Sequence, residues 1–507
     1  MKQLYIFITV LLQFLFALTG ISQTRFRAWS VLAGGINEDY AFDIVETTNG
    51  GFVILGASTS STGAFSSNHG GVDILVAAYN SSGQQLWMKL LGGTQNDVGT
   101  SIVRKANGSL YIAGRSKSSD FDFASNIGAY DYFLMKLDAN GNIIWVKNYG
   151  GTDEDIGTQL IELSDGFLLT GISMSNDSLA GPVCYGFADY WLVKTDTIGN
   201  VLWTKRTGGS DWERYPTSTL MSNGKIFTLG STSSFDYDVT VNYGPEDFWL
   251  NQFSANTGSL LAQLSIGGPI SEIATGVVED NAGNYYVCGS TTSTSNIQAN
   301  NHGGLDLYIT KFSAAGARLW SKCFGGVNND YLSDIKFKNG SLYLCGTTDS
   351  NDGDINNYYG AEDIWLLELD TAGAIKSNYS FGRDNTDEGL KVLITSANEI
   401  IIVASTLSGN LDNTPPAGVN DILLIKLGLS PAALSTENLR PISLVPNPSS
   451  GIFYLQNWNG SRYEITDFTG KQVLDGNTAK IDIRHLQAGI YFLHTNNNSY
   501  KLVKTND

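Results

Sequence analysis

The sequence predicts an all-β chain: a seven-bladed β-propeller followed by a small β-sandwich. Three observations carry this. A Gly-Gly pair returns at Gly34-Gly35, Gly92-Gly93, Gly150-Gly151, Gly208-Gly209, Gly267-Gly268 and Gly325-Gly326, with a degenerate copy at Phe381-Gly382, a period of about 58 residues. Each period holds four short apolar runs bounded by Gly, Asn, Asp or Ser, and no stretch keeps a helical spacing for a useful length. An Asp opens the third run of every period, at Asp73, Asp131, Asp189, Asp247, Asp306, Asp363 and Asp421, which counts seven units.

The chain begins MKQLYIFITVLLQFLFALTGISQ, one Lys, an apolar run and then small residues, the order of a secretory signal peptide. Cleavage is expected after Ser22, with Gly20 and Ser22 as the small residues, so residues 1–22 are the leader. The apolar run is short for a membrane span, and no later stretch is apolar enough to cross a bilayer, so the mature form is expected to have no span. The 31 Lys+Arg against 49 Asp+Glu give a net charge of −18. That excludes nucleic acid and anionic membrane surfaces as natural partners.

The first unit shows how the four runs lie. They are YAFDIVET, GFVILGAS, VDILVAAYN and QQLWMKLL, rich in β-branched and aromatic residues, and seven such units make about 28 strands. The first-to-second and third-to-fourth connections are tight Gly-containing hairpins. The second-to-third connection is long, and the fourth-to-next-first connection carries Gly-Gly. In a meandering blade alternate loops emerge at opposite ends, so the long loops and the Gly-Gly loops share one face. A fourth-strand segment around Trp29 precedes the first unit, while the last unit stops after Leu427 without one. The N-terminal strand is therefore expected to complete blade seven and close the ring. Residues 23–428 are the propeller on this reading.

An exported chain meets oxidising conditions, so its four cysteines are disulfide candidates. Cys288 and Cys345 occupy the repeat position held elsewhere by Leu55, Ala113, Thr170, Leu229 and Ala404, which marks them as small core side chains. The state of Cys184 and Cys323 stays open.

Units such as WSKCFGGVNNDYLSDIKFKNGSLYLCGTTDS (Trp320–Ser350) resemble the bacterial seven-bladed β-propeller repeat family. The resemblance covers nearly all of 23–428 and implies the fold, without an activity. Blade seven departs most, with Phe381-Gly382-Arg383 in place of Gly-Gly. After Leu427 a Pro- and Ser-containing stretch, residues 429–441, reads as a linker. Residues 442–507 alternate as short strands. There Val445-Pro446-Asn447-Pro448, Asp467-Phe468-Thr469-Gly470-Lys471 and Leu486-Gln487-Ala488-Gly489-Ile490-Tyr491 together resemble the type A C-terminal sorting domain of type IX secretion substrates in Bacteroidota. This resemblance implies recognition by the secretion machinery, export through the outer membrane, and a secreted or cell-surface protein.

Few residues point to chemistry. The seven repeated Asp residues each stand three after a Gly, where a carboxylate accepts backbone N–H groups in a turn; catalysis does not call for one group in seven copies. Asp349, Asn351 and Asp354 bring closely spaced oxygen ligands of the kind calcium takes, so calcium is the one cofactor candidate; a solvated acidic loop is the competing account. Asp120-Phe121-Asp122 and Asp236-Tyr237-Asp238 are weaker versions. His69 and His302 stand where other blades have Ile127, Tyr185 and Tyr243, which points to packing rather than metal ligation. In blade four, Ser210–Arg214 puts Trp212 and Arg214 on the long-loop face, where an aromatic ring stacks on a sugar or anchors a protein partner. It serves equally to cover a blade junction.

No G-x-S-x-G elbow, zinc-binding His/Glu motif or P-loop is present, so no catalytic residue is assigned. The expected function is a secreted or cell-surface binding or scaffold propeller whose ligand is carbohydrate or protein. The alternative is an extracellular polysaccharide hydrolase or lyase built from carboxylates of distant blades.

Overall fold

The β-branched runs form strands throughout. The computed structural model describes residues 25–177, 179, 184–295, 299–409, 411, 415–429, 443–456, 462–494 and 499–506; the expected leader and nearly all of the expected linker lie outside the described residues. The chain divides into two compact units at 429/430.

The first unit consists of seven four-stranded antiparallel sheets. Blade one runs Asp39–Glu46, Phe52–Ser58, Asp73–Tyr79 and Gln85–Leu91, and the next five blades repeat that order. Blade seven is different. Its first three strands are Asp387–Ile394, Ile400–Thr406 and Asp421–Leu429, and its fourth is Arg25–Ala33 from the N-terminus. Register from Arg25↔Leu429 to Ala33↔Ile422 sews the ring shut, as the offset of Trp29 from the repeat requires. First strands touch their neighbours in a closed cycle of seven, the blade-seven strand meeting that of blade one.

The burial pattern follows from this stacking. Second and third strands are buried at nearly every position, and Phe52–Ser58 and Asp73–Tyr79 at all of them, because a neighbouring blade covers each face. The fourth strand of blade one is exposed at its start and buried at its end. Hydrophobic clusters therefore lie between blades: Ile44, Phe52 and Leu75 of blade one pack with Ile401, Val403 and Ile422 of blade seven. Every first strand contains a bulge, as between Gly99 and Ser101, which adds twist where strands crowd the axis.

The repeated residues hold the junctions. The backbone N–H of each first-strand acid donates to the carbonyl just before the preceding blade's third-strand Asp, for example Asp97 N to Val72 O at 2.7 Å and Asp39 N to Asn420 O at 2.9 Å. The first Gly of each Gly-Gly pair lies against that Asp. A Cβ at Gly92 would sit 2.4 Å from Asp73 Oδ1, and one at Gly382 1.9 Å from Asp363 Oδ1. Blade seven thus keeps the glycine that sterics demand and varies only the second, at Arg383. Fourth-strand Trp rings serve a parallel purpose: Gly141, in the left-handed region at φ +78°, brings its hairpin onto Trp87, 2.7 Å from where a Cβ would be.

The second unit has a three-stranded sheet of Ser443–Val445, Ile452–Gln456 and Lys480–Asp482, and a four-stranded sheet of Gln472–Gly476, Tyr463–Asp467, Gly489–His494 and Ser499–Lys504. Phe453, Leu455, Ile465, Ile481, Leu493 and Leu502 from both sheets share one core, the sandwich expected from the alternating pattern. Among the described residues no helix is long and apolar enough to cross a membrane.

Candidate functional site

The long loops and the Gly-Gly turns share one face and are bonded to each other. In blade two, Asp120 accepts from Thr94 N at 2.9 Å and Asp122 from Gly92 N at 3.0 Å. At the head of these loops a serine hydroxyl hooks onto the buried first-strand acid: Ser60 to Asp39 at 3.0 Å, Ser118 to Asp97 at 2.7 Å, Ser175 to Asp155 at 2.9 Å and Ser350 to Asp330 at 3.0 Å. The described parts of this face are therefore a bonded frame.

Beyond the hook, four loops make one tight turn, closed by Phe65 N to Thr62 O, Phe123 N to Asp120 O, Val239 N to Asp236 O and Ile355 N to Asp352 O, at 2.9–3.1 Å. The residue after the acceptor takes a left-handed backbone in all four. Blades one and six use Gly63 (φ +62°) and Gly353 (φ +63°), while blades two and four use Phe121 (φ +50°) and Tyr237 (φ +51°). A bulky residue in that region is a genuine outlier. Both rings face solvent, Phe121 67% and Tyr237 64% exposed. Each stacks on a ring from the preceding blade's long loop: Phe121 on His69 at 4.5 Å, Tyr237 on Tyr185 at 4.8 Å, with planes 20° and 22° apart. His69 thus packs, as its replacement by Ile and Tyr in other blades suggests, while His302 Nδ1 lies 2.9 Å from Asp306 Oδ2.

Trp212 is half-buried. Its backbone bridges Ala188, its ring stacks on Phe187 at 5.6 Å, and the Arg214 guanidinium lies 4.8 Å over the Trp212 ring. The open ring of this stack is Phe187, 61% exposed. Trp212 and Arg214 are therefore brought together, and Trp212 backs a ring that single-residue reading passed over. Phe121, Tyr185 and Tyr237 escaped it too. The signal for two of them was in the repeat: superposing the loops puts Phe121 and Tyr237 in the slot of Gly63 and Gly353.

Asp349, Asn351 and Asp354 occupy the same loop of blade six. Asp354 accepts from Gly325 N at 3.2 Å, Asp349 accepts from the Tyr358 hydroxyl at 3.3 Å, and Asn351 is exposed. Asp352, between them, accepts from Val327 N at 2.9 Å. Among the described residues no group of three or more His, Cys, Asp or Glu is placed to hold a metal ion. All four cysteines are free thiols.

Each of the seven third-strand Asp residues accepts a backbone N–H from four residues earlier, among them His69 to Asp73 at 2.7 Å and Tyr185 to Asp189 at 2.9 Å. Burial pushes these carboxyls up, to about 6 at Asp73, Asp131 and Asp363, and does the same to the first-strand acids Asp330, to about 6, and Glu213, to about 7. Along the axis, the first strands of all seven blades line a cavity of about 600 Å³, walled by hydroxyls such as Thr100, Thr158 and Thr275. Lys336 and Lys391 reach Asp334 there at 3.2 and 3.8 Å.

Residues 443–505 match the family model of the secretion system C-terminal sorting domain. The C-terminal unit is a type IX sorting domain. That unit is read by the secretion machinery, and the protein is secreted or held at the outer cell surface. Over 379 residues the chain is 25% identical to the regulatory protein FlaEY of Caulobacter vibrioides, covering 66% of this chain and 39% of that protein. The chain thus spans well under half the length of this curated relative. Solved structures of similar shape include a fungal alcohol oxidase in complex with copper (TM-score 0.46, 10% identity, 96% of this chain and 100% of that one). A Dyadobacter fermentans protein of unknown function follows (0.43, 11%, 80% and 99%), as does a putative 6-phosphogluconolactonase of Bacteroides fragilis (0.39, 12%, 66% and 85%).

Proposed function

We propose that the ring is a glycan-binding module that the type IX route delivers to the cell exterior. One observation carries the reading: on the long-loop face of blades three and four, Tyr185, Phe187, Trp212 and Tyr237 form two ring stacks, with Phe187 and Tyr237 open to solvent. The apolar C–H face of a sugar packs on such a ring, while hydroxyls at its edge bond the polar loop. The net charge of −18 disfavours sulfated or uronic-acid-rich polymers and leaves neutral or amine-bearing glycans. Holding rings on loops bonded to the frame lowers the entropy lost on binding.

The test is a glycan array probed with the labelled chain, with calcium and with chelator. Phe187→Ala and Trp212→Ala should each remove most of the signal, in either buffer. A blank array for the parent chain, or retention of every hit by both variants, would overturn the reading.

A further inference from the structure

We infer that the glycan surface is bivalent: the His69–Phe121 pair repeats the Tyr185–Tyr237 pair, and the ligand is an extended neutral polysaccharide chain that engages both. This rests on the glycan-binding reading and adds the form of the ligand to it. The two pairs are built alike. Each takes one ring from the residue four before the third-strand Asp (His69 before Asp73, Tyr185 before Asp189) and one from the left-handed turn of the next blade. They lie at the blade one–two and blade three–four junctions of the same face.

Backbone conformation argues that both rings are there for a ligand. The turn accepts glycine, as Gly63 and Gly353 show, and glycine takes φ near +60° without steric cost. Phe121 and Tyr237 adopt that conformation against their preference and leave their rings largely in water, so neither strain nor burial repays their presence. At the equivalent position of the blade two loop, Ile127 is 50% exposed. Among the described residues of the far side, the slot opposite His302 is Gly353 and the slot opposite Ala417 is Gly63.

Two like subsites on one face fit a ligand that repeats. A polysaccharide repeats, and the surface of a globular protein does not. The charge argument narrows the polymer: Asp120 and Asp122 flank Phe121, and Asp236 and Asp238 flank Tyr237, so an anionic strand would be repelled at both contacts.

The full chain and its Phe121→Gly, Tyr237→Gly and double variants would be titrated with soluble mixed-linkage β-glucan, mannan and arabinoxylan, and with their tetrasaccharides. For at least one polymer, the parent should bind the chain roughly 100-fold tighter than its tetrasaccharide, as two linked contacts give. Either single variant should fall to the tetrasaccharide level, and the double variant should lose both. Because glycine is native to this turn, melting temperatures should stay within about 2 °C of the parent. A polymer bound no tighter than its tetrasaccharide, single variants with undiminished avidity, or variants that melt far lower would each overturn the inference. If binding survives the double variant but not Phe187→Ala, bivalency fails while glycan binding stands; if the parent binds nothing, the glycan reading itself fails.

Discussion

Removing Arg25–Ala33 should open the ring, and the structure sets the size of the effect. This strand pairs with Asp421–Leu429 along its length and lays Trp29, Val31 and Ala33 on the cluster shared by blades one and seven, with Leu32 on the other side of the blade. Four half-buried apolar side chains contribute about 1 kcal/mol each. The hydrogen bonds gained and the backbone entropy spent nearly cancel. Uncovering Ile422 and Leu424, both fully buried, brings the loss to about 5 kcal/mol. With an unfolding entropy of about 2.1 cal/mol/K per residue over about 400 residues, that is roughly 6 °C in Tm. Calorimetry of the chain beginning at Gly34 would read it, and a synthetic peptide of residues 25–36 should restore part of the lost stability by refilling the edge. A Tm within about 1 °C of the parent, or no response to the peptide at millimolar concentration, would refute closure by this strand as the source of the ring's cooperativity.

Gly92→Ala drives a methyl into Asp73 Oδ1 at 2.4 Å and Asp97 Oδ2 at 3.0 Å, and should cost about 2–3 kcal/mol in denaturant melts. Gly224→Ala, with a left-handed φ of +78° but nothing within 4 Å, should cost only about 1 kcal/mol. The buried acids set a pH dependence. Asp73, Asp131, Asp330 and Asp363 rise from 3.8 to about 6, and Glu213 from 4.5 to about 7, so the folded ring holds protons that the unfolded chain releases. Their contribution is therefore fully present below about pH 4 and is lost as pH climbs through 6 to 7, so Tm should fall between pH 5 and pH 8, with proton release on unfolding measured at pH 6. A Tm that rises over that range would contradict the assignment. Asp354→Ala should destabilise by about 1–2 kcal/mol by stranding Gly325 N, whereas millimolar calcium or chelator should leave Tm unchanged; a calcium-dependent rise of several degrees would make the loop a metal site.

The ring was legible because its makers repeat. Seven copies of Asp before the third run give the blade count, and Trp29 standing ahead of the first unit announces the closure. The reason for the Gly-Gly pair was not legible, since it is a contact across blades: the first glycine makes room for a carboxylate from the preceding blade, and that pairing exists only after stacking. The Asp-x-Asp loops were ambiguous for the same reason. Their spacing suits calcium, yet Asp122 and Asp354 each turn one oxygen to the backbone N–H of Gly92 and Gly325, donors that no local window contains. Trp212 was visible as the aromatic that breaks the blade-four pattern, but its partner Phe187 sits in a different loop.

Sequence symmetry and function divide along the same line in this chain. A residue present in every blade answers a demand that every blade shares, and each such residue meets a backbone group or a buried side chain: Asp73 on His69 N, Gly92 on Asp73, Ser118 on Asp97. A ligand is not seven-fold symmetric, so its contacts must come from positions where the copies differ. Phe121 and Tyr237 differ from Gly63 and Gly353 in the costly direction, toward strain and exposure, which drift under stability alone would remove. The departures that raise the energy of the free protein are therefore the ones to follow, and they gather on the face of the long loops.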